Sequence, residues 1–223
     1  MTTHRVPDPK FLALVAVWGR DQADIMLGFV WTAYDAMRAS MPVVEPRDLE
    51  RSITQLMEPR IRDAMTGDEP YYIQHGPFEH ETMAAPPAQP PTYDLAFVLR
   101  ADERIMWPLE AKVLETPNQV ADYDRDIRQE FLTCRYAPFS NAGAMLAYLL
   151  TGSATTVFEA IQSKLGTLLS AAPAFVNRAH RTSEHQRNVP QNKSYPNTFH
   201  CHHLVLEFQG LKRAKNTGRL PSS

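Results

Sequence analysis

Two carboxylates and an amine stand out in this chain. Asp94 begins one strand-like stretch, residues 93–100, and Glu110-Ala111-Lys112 falls in the middle of the next, residues 105–114. Residues two apart on a strand face the same way, so Glu110 and Lys112 project together. A tight polar turn at 101–104 folds the two stretches into a hairpin and pairs Asp94 close to Glu110. Carboxylates held that close repel, and a hard divalent cation such as Mg²⁺ or Mn²⁺ relieves the repulsion by bridging them. Such a cation lowers the pKa of bound water and stabilises charge on a phosphoryl oxygen, while the amine orients or deprotonates the attacking water. Phosphodiester hydrolysis needs that combination. The competing reading is a solvated Glu-x-Lys ion pair of little consequence. Against it, the tripeptide is embedded among Trp107, Leu109, Val113 and Leu114, where an unpaired charge is costly.

The elements that must position these groups are legible in outline. From Pro46, apolar residues recur at three- and four-residue spacing through Leu49, Ile53, Leu56, Met57, Ile61 and Met65, and Gly67 supplies a stop. That predicts an amphipathic helix of about five turns. Residues 71–80 predict a strand ahead of the hairpin, and Pro108 assigns the second hairpin strand to a sheet edge or a bulge. Pro117-Asn118 predicts the start of a charged helix running to Arg135. Residues 142–150 read as a buried strand, 155–170 as a helix, 171–197 as a polar loop and 199–208 as a last strand. Upstream, the apolar stretches 11–18 and 25–37 predict two helices broken near Gly19, either packed on the domain or forming a dimer surface. The proline-rich run 84–92 predicts an extended connection. The order is that of a mixed α/β fold.

Taken with this order, Pro91-Thr-Tyr-Asp94 and Glu110-Ala-Lys112 resemble the motif of the PD-(D/E)XK, restriction-endonuclease-like superfamily, with the proline separated from Asp94 by two residues. The resemblance spans about residues 46–208. It implies an αβββαβ core with a mixed central sheet, extended by a further helix and strand. The nuclease-like domain is then 46–210, with a helical addition at 1–45 and a basic tail at 211–223. It further implies metal-dependent cleavage of nucleic acid, DNA favoured, with Asp94 and Glu110 as metal ligands and Lys112 as the catalytic lysine. Glu50 on the first core helix is the expected additional catalytic ligand, with Glu58 the alternative. Gln119-Val-Ala-Asp-Tyr123 has the Gln-x-x-x-Tyr spacing of RecB-like members, which assigns Gln119 and Tyr123 to the nucleic acid. Arg135, and His185 and Arg187 from the polar segment 180–187, are the expected phosphate contacts. The implied setting is the effector subunit of a restriction or anti-phage defence system, acting with a protein partner or as a homo-oligomer. The alternative is a catalytically inactive nuclease-like fold that binds a partner protein or nucleic acid.

Other chemistries are weaker. Asp122, Asp124, Arg125, Asp126, Arg128 and Glu130 read as a solvated, self-paired helix face. His200, Cys201, His202 and His203 alternate across a strand and so cannot supply four converging zinc ligands. No Gly-rich phosphate loop or nucleophile elbow is present. With 223 residues, 43% of them apolar, and a net charge of −2, the chain is expected to form one domain without histone-like bulk charge. Residues 175–223 carry 8 Lys/Arg against 2 Asp/Glu, so a polyanion would be met by the C-terminal quarter. No apolar run approaches the ~20 residues of a membrane span. The first residues predict no signal peptide, and two cysteines make no disulfide framework. A cytoplasmic protein is the expectation.

Overall fold

The computed structural model describes residues 22–44, 47–82 and 90–213, together with Lys10, Phe11, Ala13, Val15 and Trp18. The expected helix start at Pro46, most of the proline-rich run and most of the basic tail lie outside the described residues. In chain order the elements are α1 (Ala23–Ala39), β1 (Val43–Val44), α2 (Leu49–Ala64), β2 (Tyr71–His75), β3 (Leu95–Leu99), β4 (Met106–Leu114) and α3 (Ala121–Asp126). They continue with β5 (Ala142–Leu149), α4 (Ala154–Leu165), β6 (Ser170–Ala171), β7 (His180–Gln186), β8 (Thr198–Glu207) and β9 (Lys212–Arg213). A π-helical turn, Ile127–Phe131, prolongs α3.

Seven strands form one open mixed sheet in the order β2-β3-β4-β5-β8-β7-β6, and β1 pairs separately with β9. β4, β5 and β8 are parallel neighbours, and the outer pairs are antiparallel. The fold is therefore α/β. β5 lies in the middle with both faces covered, which is why it reads as an unbroken buried run instead of an alternation. One face of the sheet (Phe97, Trp107, Leu109, Leu146, Leu204) packs under α1 and α2 through Leu27, Val30, Ile53, Met57 and Ile61. The other (Val98, Met145, Ala147, Val205) packs under α3 and α4 through Tyr123, Ile127, Val157 and Ile161.

α1 is bound into this core. Tyr34 Oη donates to Glu207 O at 3.0 Å and accepts from Glu207 N–H at 2.8 Å, so one phenol satisfies both main-chain groups at the end of β8. α2 begins where Asp48 caps it, its side chain accepting from Arg51 N–H at 3.2 Å.

Several elements differ from expectation. The strand expected at 71–80 ends at His75, because Gly76 takes φ +66 and turns the chain away. Pro108 lies in a central strand and not at an edge of the sheet. Hydrogen-bonded pairs alternate along an antiparallel ladder, and Leu99 N–H donates to Ile105 O, so Pro108, opposite Ala96, holds a non-hydrogen-bonded place. On its other side the ladder to β5 begins only at Leu109. The charged helix begins at Ala121, after a turn built by Gln119. The segment expected as a loop contains β6 and β7. The inward residues of β7 are His180, Ser183 and His185, so no apolar alternation announces it.

Candidate functional site

The site arises where β3 leaves β4. Leu95↔Leu109 is the last pair between them. By the same alternation, the odd-numbered residues of β4 turn their main-chain groups toward β3. Beyond Leu109, Ala111 and Val113 therefore present N–H and C=O to a gap, and such groups need partners. Two carboxylates supply them. Asp94, just ahead of β3, accepts from Ala111 N–H on Oδ2 at 2.8 Å. Glu50, in the first turn of α2, accepts from Val113 N–H on Oε2 at 3.2 Å. The Ala111 carbonyl accepts from Lys112 Nζ at 2.7 Å.

Lys112 is the hub. Its ammonium, on a side chain 13% exposed, also lies 3.1 Å from Glu110 Oε1, 2.9 Å from Asp126 Oδ2 and 3.4 Å from Glu50 Oε1. Burial alone would lower its pKa, but Glu110, Glu50, Asp94 and Asp126 outweigh that and hold it above the usual lysine range. The carboxyls shift too. Burial raises Asp94, with the Ala111 N–H opposing, and raises Glu50 against the pull of Lys112. Glu110 is pushed well above the carboxylate range, first by burial and then by Asp94 beside it. Its Oε2 is buried and accepts no hydrogen bond.

Asp94, Glu110, Lys112 and Glu50 are thus brought together from three places in the chain. Glu58 is not with them; it pairs with Arg62 along α2 at 3.3 Å. Asp126 joins them although its segment reads as a solvated, self-paired face. The buried stripe of Val120, Tyr123, Ile127 and Phe131 was the available signal, since at helical spacing Asp126 lies on its flank.

The expected nucleic-acid contacts are dispersed, and most are engaged internally. Tyr123 is buried with its hydroxyl 2.9 Å from His203 Nδ1. Gln119 is exposed, and its Oε1 accepts from Thr116 N–H at 3.1 Å, closing the turn before α3. His185 is buried against Ser183 Oγ at 2.7 Å. Arg187 is buried, and its guanidinium donates to the carbonyls of Phe131, Tyr136, Ala137 and Ser140 at 2.8–3.0 Å. It clamps a loop in which Cys134 and Ala137 take positive φ. Arg135 is half-exposed and paired with Glu130. The positive balance of the C-terminal quarter is likewise partly consumed: Arg178 pairs with Asp35 and Lys193 with Glu81. Four histidines in β7 and β8 are hydrogen-bonded inside the sheet, His180 to His202 at 3.1 Å, and His185 and His203 through Ser183.

Carboxylate oxygen is the ligand type that hard cations take. Four carboxylates face one ammonium, and the buried Glu110 Oε2 has acceptor capacity to spare. Among the described residues, however, no group of three or more His, Cys, Asp or Glu side chains is arranged to hold a metal ion. The space between the carboxylates is taken by Lys112 Nζ. No helix among the described residues is long and apolar enough to cross a membrane. Compared with protein-family models, curated proteins and solved structures, the chain finds no match.

Proposed function

We propose that this chain is a metal-dependent nuclease of restriction-endonuclease-like architecture, hydrolysing phosphodiester bonds in nucleic acid, with DNA the favoured substrate. The observation that carries the reading is the convergence on Lys112 of carboxylates from α2, the approach to β3, β4 and α3. Asp94, Glu110 and Glu50 would hold Mg²⁺ or Mn²⁺, which when bound supplies an activated water and charge neutralisation at phosphorus.

The chain's own residues do the rest. Main-chain N–H groups of Ala111 and Val113 fix one oxygen of Asp94 and one of Glu50, leaving the second oxygen of each for other work. Lys112, held protonated, donates to negative charge developing on a phosphoryl oxygen instead of accepting a proton from water. The likeness of the motif to the superfamily supports a role as effector subunit in restriction or anti-phage defence.

The test is cleavage of plasmid, linear and single-stranded DNA and of RNA, with Mg²⁺ or Mn²⁺, by wild type and Lys112→Met. Cleavage by the wild type and none by the folded variant is expected; equal cleavage by both refutes the assignment. A second reading, a catalytically inactive nuclease-like fold that binds a partner, is favoured by the ammonium filling the space between the carboxylates. Calorimetric titration with Mn²⁺ separates the two: the inactive fold binds none at this site.

A further inference from the structure

A chain of side-chain hydrogen bonds ties α3 to the sheet. Tyr123 Oη lies 2.9 Å from His203 Nδ1, His203 Nε2 lies 2.7 Å from Ser183 Oγ, and Ser183 Oγ lies 2.7 Å from His185 Nε2. The chain thus runs from α3 through β8 to β7. Ser183 and His185 share a face of β7 because they are two apart. All four side chains are buried, and His185, at 9%, is the most exposed of them.

Counting hydrogens gives the chain a direction. Among the described residues the Tyr123 hydroxyl has His203 as its one hydrogen-bond partner, so it donates, because a buried O–H without an acceptor is costly. His203 then carries its hydrogen on Nε2 and donates to Ser183, which donates to His185 Nε2. Three hydrogens fill three contacts. A proton added at His185 Nε2 makes four hydrogens for three contacts. One hydroxyl, that of Tyr123 or Ser183, is then left without an acceptor, and a contact must part.

The contacts are not equally free to do so. Ser183, His185 and His203 sit on strands paired all along β7, from His180 to Gln186. Tyr123 rides on a six-residue helix with no side-chain cap at its start. Three residues on, Asp126 brings its carboxylate to 2.9 Å from the Lys112 ammonium.

Around His185 stand Asp124 of α3, Arg128 of the π-helical turn and Glu184 of β7, itself 3.6 Å from His200 Nδ1. His203 faces His180 and His202 besides His185, and Tyr123 faces Cys201. Burial, then Arg128, holds His185 below the usual histidine value, with Asp124 and Glu184 opposing. Burial pushes His180 and His203 down to about 3 and His202 to about 4, so these three stay neutral in mild acid. A histidine kept neutral by folding contributes stability that is present above its unfolded value, about 6.5, and lost as pH falls through the folded one.

We propose that Tyr123, His203, Ser183 and His185 form an acid-sensitive latch: a proton on His185 unlatches Tyr123 and loosens α3, and Asp126 with it, from the sheet. The inference is independent of the reaction assigned to the Lys112 site.

The latch is read by hydrogen exchange at the Asp124 and Ile127 amides, both bonded within α3, at about pH 7.5 and about pH 5 with the intrinsic rate corrected for. Imidazole nitrogen-15 NMR reads the charge on His185. Buried carboxyls titrate over the same range, so the comparison is with His185→Gln, whose amide oxygen accepts from Ser183 and takes no proton. On acidification, exchange at both amides should rise about tenfold more in wild type than in His185→Gln, as one lost buried hydrogen bond requires. In Ser183→Ala the chain is cut, and that excess should vanish.

An excess that persists in Ser183→Ala overturns the latch, because His185 then acts on α3 without the chain. No excess in wild type with His185 charged at about pH 5 overturns it as well, and so does a His185 still neutral there.

Discussion

Replacing Lys112 with methionine removes the ammonium that four carboxylates face, and the consequence for stability can be worked out. Unit charges about 3 Å apart attract by about 5 kcal/mol at an effective dielectric of about 20. Lys112 makes contacts of that kind with Asp126, Glu110 and Glu50. Against their sum stand several kcal/mol of desolvation for each ion, and the proton that a buried carboxyl takes up when its counter-charge leaves. What survives is the usual result of removing one partner of a buried pair, a loss of about 3–5 kcal/mol.

The pH dependence has a definite sign. Burial raises Glu110, Glu50 and Asp94 in the fold, with Asp94 adding to the rise at Glu110. Carboxyls raised by folding contribute stability that is fully present below their unfolded value, about 4.3, and is lost as pH rises toward the folded one. Without Lys112 they rise further, so the deficit of the variant should widen from about pH 5.5 to about pH 8. Mg²⁺ at about one hundred times its Kd should return about 2.7 kcal/mol. It should stabilise wild type by less, because there it must displace an ammonium already in place. Urea denaturation in chelator or in Mg²⁺, at both pH values, measures all of this. A variant within about 1 kcal/mol of wild type in chelator at the higher pH would refute the charge argument, as would a deficit that narrows as pH rises.

Two further predictions concern the framework. Arg187→Met should cost about 3–5 kcal/mol in urea denaturation, because four buried carbonyls lose their donor; an exposed phosphate-binding arginine would cost almost nothing. Glu79, 3% exposed and hydrogen-bonded by Tyr93 Oη at 2.6 Å, is pushed by burial up to about 7. Its stabilising contribution is lost as pH rises toward that value. Wild type should therefore lose about 3 kcal/mol relative to Glu79→Gln between about pH 4.5 and about pH 7, and parallel pH–stability curves would exclude it.

The hairpin and the common face of Glu110 and Lys112 could be read in advance because strand geometry is a rule of two, and apolar neighbours enforced it. Glu50 was within reach for a similar reason, lying at the start of a strongly periodic helix. Asp126 was not. Charges at three- and four-residue spacing look self-satisfied on a helix, and Arg125 and Arg128 do pair with Asp122 and Asp124. Nothing in that pattern says which carboxylate a buried lysine from another strand will reach. The Gln-x-x-x-Tyr spacing misled in the opposite way. Tyr123 belongs to the apolar stripe of α3 and turns inward to His203, while Gln119 is spent on the turn before the helix. β7 escaped notice because histidine and serine occupy the inward places that valine or isoleucine would normally mark. Their polar atoms find one another only once β8 is alongside.

The divergence of β3 from β4 also explains why the carboxylates are unequally prepared. A strand edge left without a neighbour must satisfy its N–H groups, and here Asp94 and Glu50 do so with one oxygen each. Their orientation is set by main chain, which does not change rotamer. Glu110 has no main-chain donor: Oε1 faces Lys112, and the carboxyl lies beside Asp94, with which it shares a side-chain hydrogen bond when it holds a proton. Burial and the neighbouring Asp94 both favour the protonated form of Glu110, so of the three it is the carboxyl held by a shared proton and by Lys112 and not by main chain.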